Sequence, residues 1–315
     1  MNVVLNGYGT VARALVRHWK AIAPDITIQL IRRKSGQLRL ENGVTAGSLP
    51  MDSLPFSPEM LSLETILEEV PIDVWFELTP TNLDTAKEDF ERVRTILSQG
   101  IPVIIANKAI VLHDYLALKQ TADEAGTRMG LSAVIGASLP AYALAHYGAM
   151  GATITRMEGV LNGTTNFMLG QMEQGMSFEE SLLEAQRVGI AEPHSEYDVS
   201  GFDSAVKMAI LASIIRNRNI PVQPEEVEGI SQVNREMVRD HLEHGLRYKL
   251  VATFQDERVS VAPRLFSRED LFYQVNHTDK VLRIETDTLS TMSVVVGASG
   301  LREVAASLHR DLLSI

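Results

Sequence analysis

The run Val3-Val4-Leu5-Asn6-Gly7-Tyr8-Gly9-Thr10-Val11-Ala12 decides how the chain begins to fold. Three apolar residues lead into a turn holding two glycines. Val11, Leu15, Val16 and Trp19 then recur at helical spacing, so the run reads as strand, tight turn and helix. Gly7 permits the turn, Gly9 lets a backbone approach a pyrophosphate, and Ala12 stands where a small residue allows the helix to lie close on the strand. A helix N-terminus offers free N–H groups and a partial positive charge. Gly7, Gly9, Thr10 and Val11 are therefore candidate contacts for the phosphates of a dinucleotide. The glycine pattern alone is weak; its strand–helix setting gives it meaning.

The alternation continues beyond this turn. Residues 26–31, 72–78 and 102–106 read as strands, residues 60–70 and 115–125 as helices, and Asn82 as the cap of a helix reaching Leu97; residues 128–135 close the set. Strands apolar on both faces, alternating with helices, predict a parallel sheet covered on both sides. The expected fold class is α/β, with a doubly wound Rossmann-type dinucleotide-binding domain over residues 1–136. After Pro140 the pattern changes. Residues 179–188, 204–216, 224–234 and 236–244 read as helices, and residues 249–254, 259–263, 280–286 and 290–296 as antiparallel strands. These predict an α+β catalytic and dimerisation domain over residues 137–300, with a last helix, within 301–315, packing back on the first domain.

Composition narrows the chemistry. The 315 residues include no cysteine, which excludes disulfides, thiolate metal sites and a cysteine nucleophile, and fits a cytoplasmic setting. A net charge of -11 disfavours nucleic acid as a partner. Residues 131–154 carry no Asp, Glu, Lys or Arg, but Gly136, Pro140, Gly148 and Gly151 interrupt them. A membrane span wants ~20 predominantly apolar residues, so this stretch reads as a buried crossing between domains, with no membrane partner.

One turn is strongly basic. A cofactor without a 2′-phosphate meets an acidic residue at the end of the second strand, and here that place holds Arg32-Arg33-Lys34. Guanidinium groups bind phosphate in a fork, so Arg32 and Arg33 predict a preference for NADP over NAD. A solvated basic turn is the plainer alternative.

Other residues point to a reaction. Asp203 and Lys207 are four apart and share a helix face lined by Ala205, Ala209 and Ala212. Alone they would be a surface ion pair of little worth. Glu192 and Asp198 precede them, however, and all four could converge on one pocket suited to an amino acid bearing a hydroxyl. Carboxylates would satisfy its ammonium group and the lysine an oxygen. Lys108 follows a buried strand, where open sheets place their ligands, and could move a proton.

Three segments together resemble the homoserine dehydrogenase family: Ala106-Asn107-Lys108; Gly159-Val160-Leu161-Asn162-Gly163-Thr164-Thr165-Asn166; and Ala191-Glu192 through Asp198-Val199-Ser200-Gly201-Phe202-Asp203 to Lys207. Their order and spacing match, and the likeness runs from the glycine turn to the last helix. The resemblance implies oxidation of L-homoserine to L-aspartate 4-semialdehyde, or the reverse, with NAD(P), in threonine and methionine biosynthesis. It implies Lys108 and Lys207 as the catalytic pair, and Glu192, Asp198, Asp203 and Thr164 as substrate contacts. Thr79, Pro80, Asn107 and Gly297 would lie along the cofactor, and the assembly would be a homodimer.

Some positions depart from the family pattern. A Glu that helps bind a monovalent cation is replaced by Ser132, leaving only backbone carbonyls near Ile135 and Ala137 for a weak cation site. His194 replaces a common Asp, and Gly297-Ala298-Ser299-Gly300 varies a glycine-rich turn that contacts the cofactor. The chain ends at Ile315, which leads to the expectation of a form without a regulatory domain and with little inhibition by threonine. Two other readings stand beside this one: an oxidoreductase for another amino-acid aldehyde or alcohol, and a catalytically silent nucleotide-binding protein. Retention of both lysines speaks against the latter.

Overall fold

Apolar strands that end in polar residues build the first of two compact units, Met1–Ser138 with Gly300–Ile315; the second is Leu139–Ser299. The structure is a computed structural model describing every residue except Ser53, Pro193, His194, Ala298 and Ser299. The sequence readings at His194, Ala298 and Ser299 lie outside the described residues.

In the first unit β1 (Asn2–Asn6), β2 (Thr27–Arg33), β3 (Gly36–Thr45), β4 (Val74–Glu77), β5 (Val103–Ile105) and β6 (Met129–Gly130) form one sheet in the order β3-β2-β1-β4-β5-β6. The helices are α1 (Thr10–Ile22), α2 (Leu63–Glu69), α3 (Ala86–Ser98), α4 (Lys108–Glu124) and the short α5 (Ser132–Ile135), followed at the chain end by Leu301–Leu313. Strand order reverses at β1, and such a switch point opens a crevice beyond the carboxyl ends of the strands. There Asn6 pairs in register with Arg32 and with Glu77, and Glu77 with Ile105. The core beneath joins Leu5, Leu15, Trp19, Ile28, Phe76 and Ile104 to Ala305, Leu308 and Leu312 of the last helix. Each large apolar side chain buried there contributes about 1.5–3 kcal/mol.

The sheet is mixed, not wholly parallel. β3 was not foreseen and runs antiparallel to β2, closing a hairpin around Lys34 and Ser35. Its alternation of Gln37, Arg39 and Glu41 with apolar residues marks a half-exposed edge strand, which a search for buried strands overlooks. Three helix starts differ from the expected ones, two of them set by side-chain caps. Ser62 accepts from the Thr65 N–H, so α2 begins at Leu63. Asn82 accepts from the Asp84 N–H in a turn and does not cap α3, which begins at Ala86. Asn107 accepts from the Ala109 N–H, so α4 begins at Lys108, with a break at Asp114. Residues 128–135 are not one strand; β6 is followed by α5, whose Ser132 N–H and Oγ–H bond to Asp311 at 2.9 and 2.5 Å.

In the second unit α6 (Ala141–Ala143) precedes β7 (Ile154–Val160), α7 (Gly163–Glu173), α8 (Phe178–Arg187), α9 (Glu196–Val199), α10 (Phe202–Arg216) and α11 (Arg235–Glu243). Then come β8 (Leu246–Gln255), β9 (Arg258–Ser267), β10 (Lys280–Thr286) and β11 (Thr291–Val296). The sheet order is β11-β10-β7-β8-β9, antiparallel throughout. The small residues Ala205, Ala209 and Ala212 of α10 are wholly buried.

Two readings need correction here. Residues 224–234 are not a helix beyond the single turn Pro224–Glu226, because Val227 bridges to Val261 and Glu228 N–H bonds to the Val261 carbonyl. The charge-free stretch is only partly buried; Tyr147 and Met150 are more than half exposed, at 66% and 63%. Among the described residues no helix is long and apolar enough to cross a membrane.

Candidate functional site

The first unit presents a candidate phosphate cradle at the start of α1. Gly7 has φ +105°, and its N–H bonds to the Arg32 carbonyl at 2.9 Å. A Cβ there would lie 2.5 Å from the Leu78 backbone carbonyl, so the turn admits only glycine. Gly9 differs. A Cβ on it would meet nothing within 4 Å, so the surrounding protein does not demand glycine there. The open space beside α1 is what a phosphate needs to reach the N–H groups of Thr10 and Val11. Gly9 caps α1 without a side-chain hydrogen bond, and the first turn holds no acid, leaving its positive end uncompensated. These residues fit a dinucleotide.

The basic turn is divided. Arg32 is half-buried, and its Nε has no hydrogen-bond partner among the described residues. Burial, and then the nearby Arg92 guanidinium, hold its pKa below the usual guanidinium value. Arg33 is exposed and stacks over Phe56, 3.9 Å from the ring centre; Lys34 is exposed. Farther along the sheet, Thr79 and the exposed Pro80 follow β4, and Asn107 and Lys108 follow β5. Asn107 Nδ2 donates to Thr79 Oγ1 at 3.1 Å, and the Lys108 N–H donates to Thr81 Oγ1 at 3.3 Å.

The second unit gathers the polar residues of the other two motifs. Lys207 Nζ lies 2.6 Å from Asp203 Oδ2 and donates to the Leu161 carbonyl at 2.9 Å. Asn162 Nδ2 donates to both Asp198 and Asp203, at 2.6 and 2.8 Å, while its Oδ1 caps α7 through the Thr165 N–H. One amide thus holds two carboxylates beside one ammonium group. Thr164 is buried on the first turn of α7, its hydroxyl 3.4 Å from the Ile190 carbonyl. Glu192 does not join them. It is exposed on the loop after α8, where its carbonyl accepts from Gln186 Nε2 at 3.3 Å, and no hydrogen bond or ion pair among the described residues links its carboxylate to the cluster. Gly297 is exposed after β11.

Sequence reasoning quoted Asn162 without seeing its role; an amide capping a helix straight after a strand was the available signal. It missed Tyr197, whose phenol is pushed up by burial and then by the charges of Asp203 and Asp198, and so stays protonated. It also missed Lys249, wholly buried in β8. There Nζ meets Asn166 Oδ1 at 3.0 Å, and burial pushes its pKa down to about 8. A lysine within an apolar strand was the only clue.

The suggested monovalent-cation site does not fit. Arg310 donates to the Ala137 carbonyl at 3.1 Å, placing a cation of the protein's own on a carbonyl that would have to bind the ion. Both the N–H and the hydroxyl of Ser132 are engaged by Asp311. Turnover is therefore expected to be equal in potassium, sodium and tetramethylammonium salts at one ionic strength. A several-fold gain with potassium would contradict this.

Comparison with known proteins identifies the family. The family model for homoserine dehydrogenase matches residues 140–313. The homoserine dehydrogenase of Methanocaldococcus jannaschii is 28% identical over 331 residues, covering 100% of this chain and 98% of that protein. A solved homoserine dehydrogenase from Thiobacillus denitrificans is 27% identical with a TM-score of 0.81, covering 99% of this chain and 72% of that one. A hyperthermophilic archaeal homoserine dehydrogenase in complex with NADPH has the same fold, at TM-score 0.80 and 22% identity, over 99% of this chain and 96% of that one. With the motifs, the two sheets and more than half the chain in the family model, the chain belongs to the homoserine dehydrogenase family of NAD(P)-dependent oxidoreductases.

Proposed function

We propose that the chain interconverts L-homoserine and L-aspartate 4-semialdehyde, taking NADP in preference to NAD. The observation that carries this reading is the setting of Lys207. Two of its three ammonium hydrogens are taken by Asp203 and the Leu161 carbonyl. The third is left for the substrate's reacting oxygen. Asp198, and Glu192 once substrate draws it in, are the partners for the substrate ammonium group, and Thr164 lines the same site. Lys108 moves the hydroxyl proton. A bound nicotinamide would accept or return the hydride. Gly7, Gly9, Thr10 and Val11 would hold the pyrophosphate, and Thr79, Pro80, Asn107 and Gly297 would lie along the cofactor. We place the enzyme in the cytoplasm, in the threonine and methionine branch, as a homodimer; light scattering would return twice the chain mass.

Absorbance of the reduced nicotinamide with homoserine at high pH tests the reaction, and no change in absorbance would refute it. Asp198→Asn is expected to raise the Michaelis constant for homoserine more than it lowers turnover.

The cofactor preference rests on Arg32 and Arg33. Arg33→Ala should weaken NADP binding about 5- to 50-fold, the scale of losing a charge-assisted contact to a phosphate. NAD binding should hardly change. Equal loss for both cofactors would place Arg33 away from the 2′-phosphate.

A further inference from the structure

At the switch point of the first sheet lies a closed circuit of side chains, of which Glu77, Arg92 and Asp89 have no part in the reaction as described. Glu77 ends β4 with its carboxylate wholly buried. It accepts from Asn6 Nδ2 at 2.9 and 2.8 Å, from Trp75 Nε1 at 3.2 Å, from Thr79 Oγ1 at 2.6 Å and from Arg92 Nε and a terminal nitrogen at 3.2 Å each. Arg92 also pairs with Asp89. Asp89 Oδ2 accepts from Asn107 Nδ2 at 3.2 Å, and the same Nδ2 donates to Thr79 Oγ1 at 3.1 Å. The circuit therefore runs Glu77, Arg92, Asp89, Asn107, Thr79 and back to Glu77, tying the ends of β4 and β5 to α3.

Donor accounting fixes its direction. Thr79 has one hydroxyl hydrogen, and it goes to Glu77, so towards Asn107 its oxygen can only accept. Both Nδ2 hydrogens of Asn107 are used, on Thr79 and Asp89, and its Oδ1 accepts from the Ala109 N–H at 3.0 Å. The amide has no other orientation that satisfies all three contacts. Asn107 is the cap of α4, and the next residue, Lys108, is the first of that helix. A buried carboxylate is costly unless its hydrogen bonds are complete, and Thr79, one of the donors that complete them here, in turn accepts from Asn107.

We propose that Glu77 is a positioning residue for the reaction: through Thr79 and Asn107 it sets where Lys108 and the cofactor-lining end of β4 stand. The inference rests on the proposed roles of Lys108, Thr79 and Asn107. Glu77→Gln keeps the shape but puts an N–H₂ among converging donors, which opens the circuit at its centre. Asp89→Asn disturbs it one step further from Glu77, at the pair with Arg92 and Asn107.

The test compares both variants with the wild-type enzyme in homoserine oxidation, using homoserine deuterated at the carbon that loses hydride. Glu77→Gln is expected to lower turnover about 10- to 100-fold, the scale of a displaced catalytic group. Its isotope effect should rise as the chemical step becomes slower, and Asp89→Asn should follow in the same direction with a smaller loss. A role in stability alone would lower the melting temperature and leave the isotope effect unchanged. Because Trp75 bonds directly to Glu77, a shift in tryptophan fluorescence reports the opened circuit without any assay of turnover. Opened but folded variants with wild-type turnover and isotope effect would overturn the proposal. A wild-type enzyme inert towards homoserine would instead overturn the assigned reaction.

Discussion

Lys108→Ala and Lys207→Ala are each expected to lower turnover at least ~100-fold, the usual scale for a positioned acid–base group. Oxidation removes a proton from the hydroxyl and a hydride from the same carbon, so negative charge gathers on the substrate oxygen as the proton leaves. In the proposed mechanism Lys207 meets that charge. Its ammonium group is anchored by Asp203, itself held by Asn162, and by the Leu161 carbonyl. Losing it also leaves the buried carboxylate of Asp203 without its cation. Asp203→Asn should therefore cost turnover as well, but less than loss of the lysine. In the proposed mechanism Lys108 takes the larger part in proton transfer. Neither lysine belongs to the phosphate cradle, so the dissociation constant for NADPH should change little. Steady-state kinetics and a fluorescence titration of NADPH would measure both quantities. A folded Lys108→Ala variant with near-normal turnover would remove Lys108 from the mechanism.

Gly7→Ala should abolish detectable NADPH binding and destabilise the first unit. The φ of +105° is costly for any residue with a Cβ, and that Cβ would sit 2.5 Å from the Leu78 backbone. Backbone cannot move aside as a flexible side chain can, so β1 and β4 would have to part where they pair. The strain is worth about 1–3 kcal/mol, and the overpacking adds a similar amount. Gly9→Ala provides the contrast. With open space around it, stability should be close to wild type, while NADPH binding falls because the methyl group enters the phosphate's approach. Urea denaturation and NADPH titration of the two variants separate these effects. Equal stability of both would mean that the turn relaxes more easily than its geometry implies.

Much of this was readable from residues alone. Gly7, Gly9 and Ala12 stood between an apolar run and a helical period, which reads as strand, turn and helix, and the expected α/β fold with a second, mainly antiparallel sheet is the one observed. Asp203 and Lys207 were placed on one helix face by their spacing, and the structure joins them at 2.6 Å. Where the reading failed, a non-local partner had the final say. β3 exists because β2 offers it an edge, and residues 224–234 abandon the helix because Val261 captures Val227. Spacing also did not show that Asn162, some thirty residues upstream of Glu192, ties Asp198 and Asp203 together while Glu192 stands exposed on its loop.

The sequence by itself determined what depends on near neighbours: the period of most strands and helices, the glycine that a left-handed turn requires, and a cation one helical turn from its carboxylate. These follow from backbone geometry and reach no further than a few residues. The tertiary structure alone decided which distant group completes each polar one. Asp311 engages Ser132, Arg310 occupies the Ala137 carbonyl, and Glu77 reaches Asn107 through Thr79. A buried donor or acceptor must find a partner, but the requirement names no sequence distance. Packing selects the partner from whatever the strands and helices bring within hydrogen-bond reach.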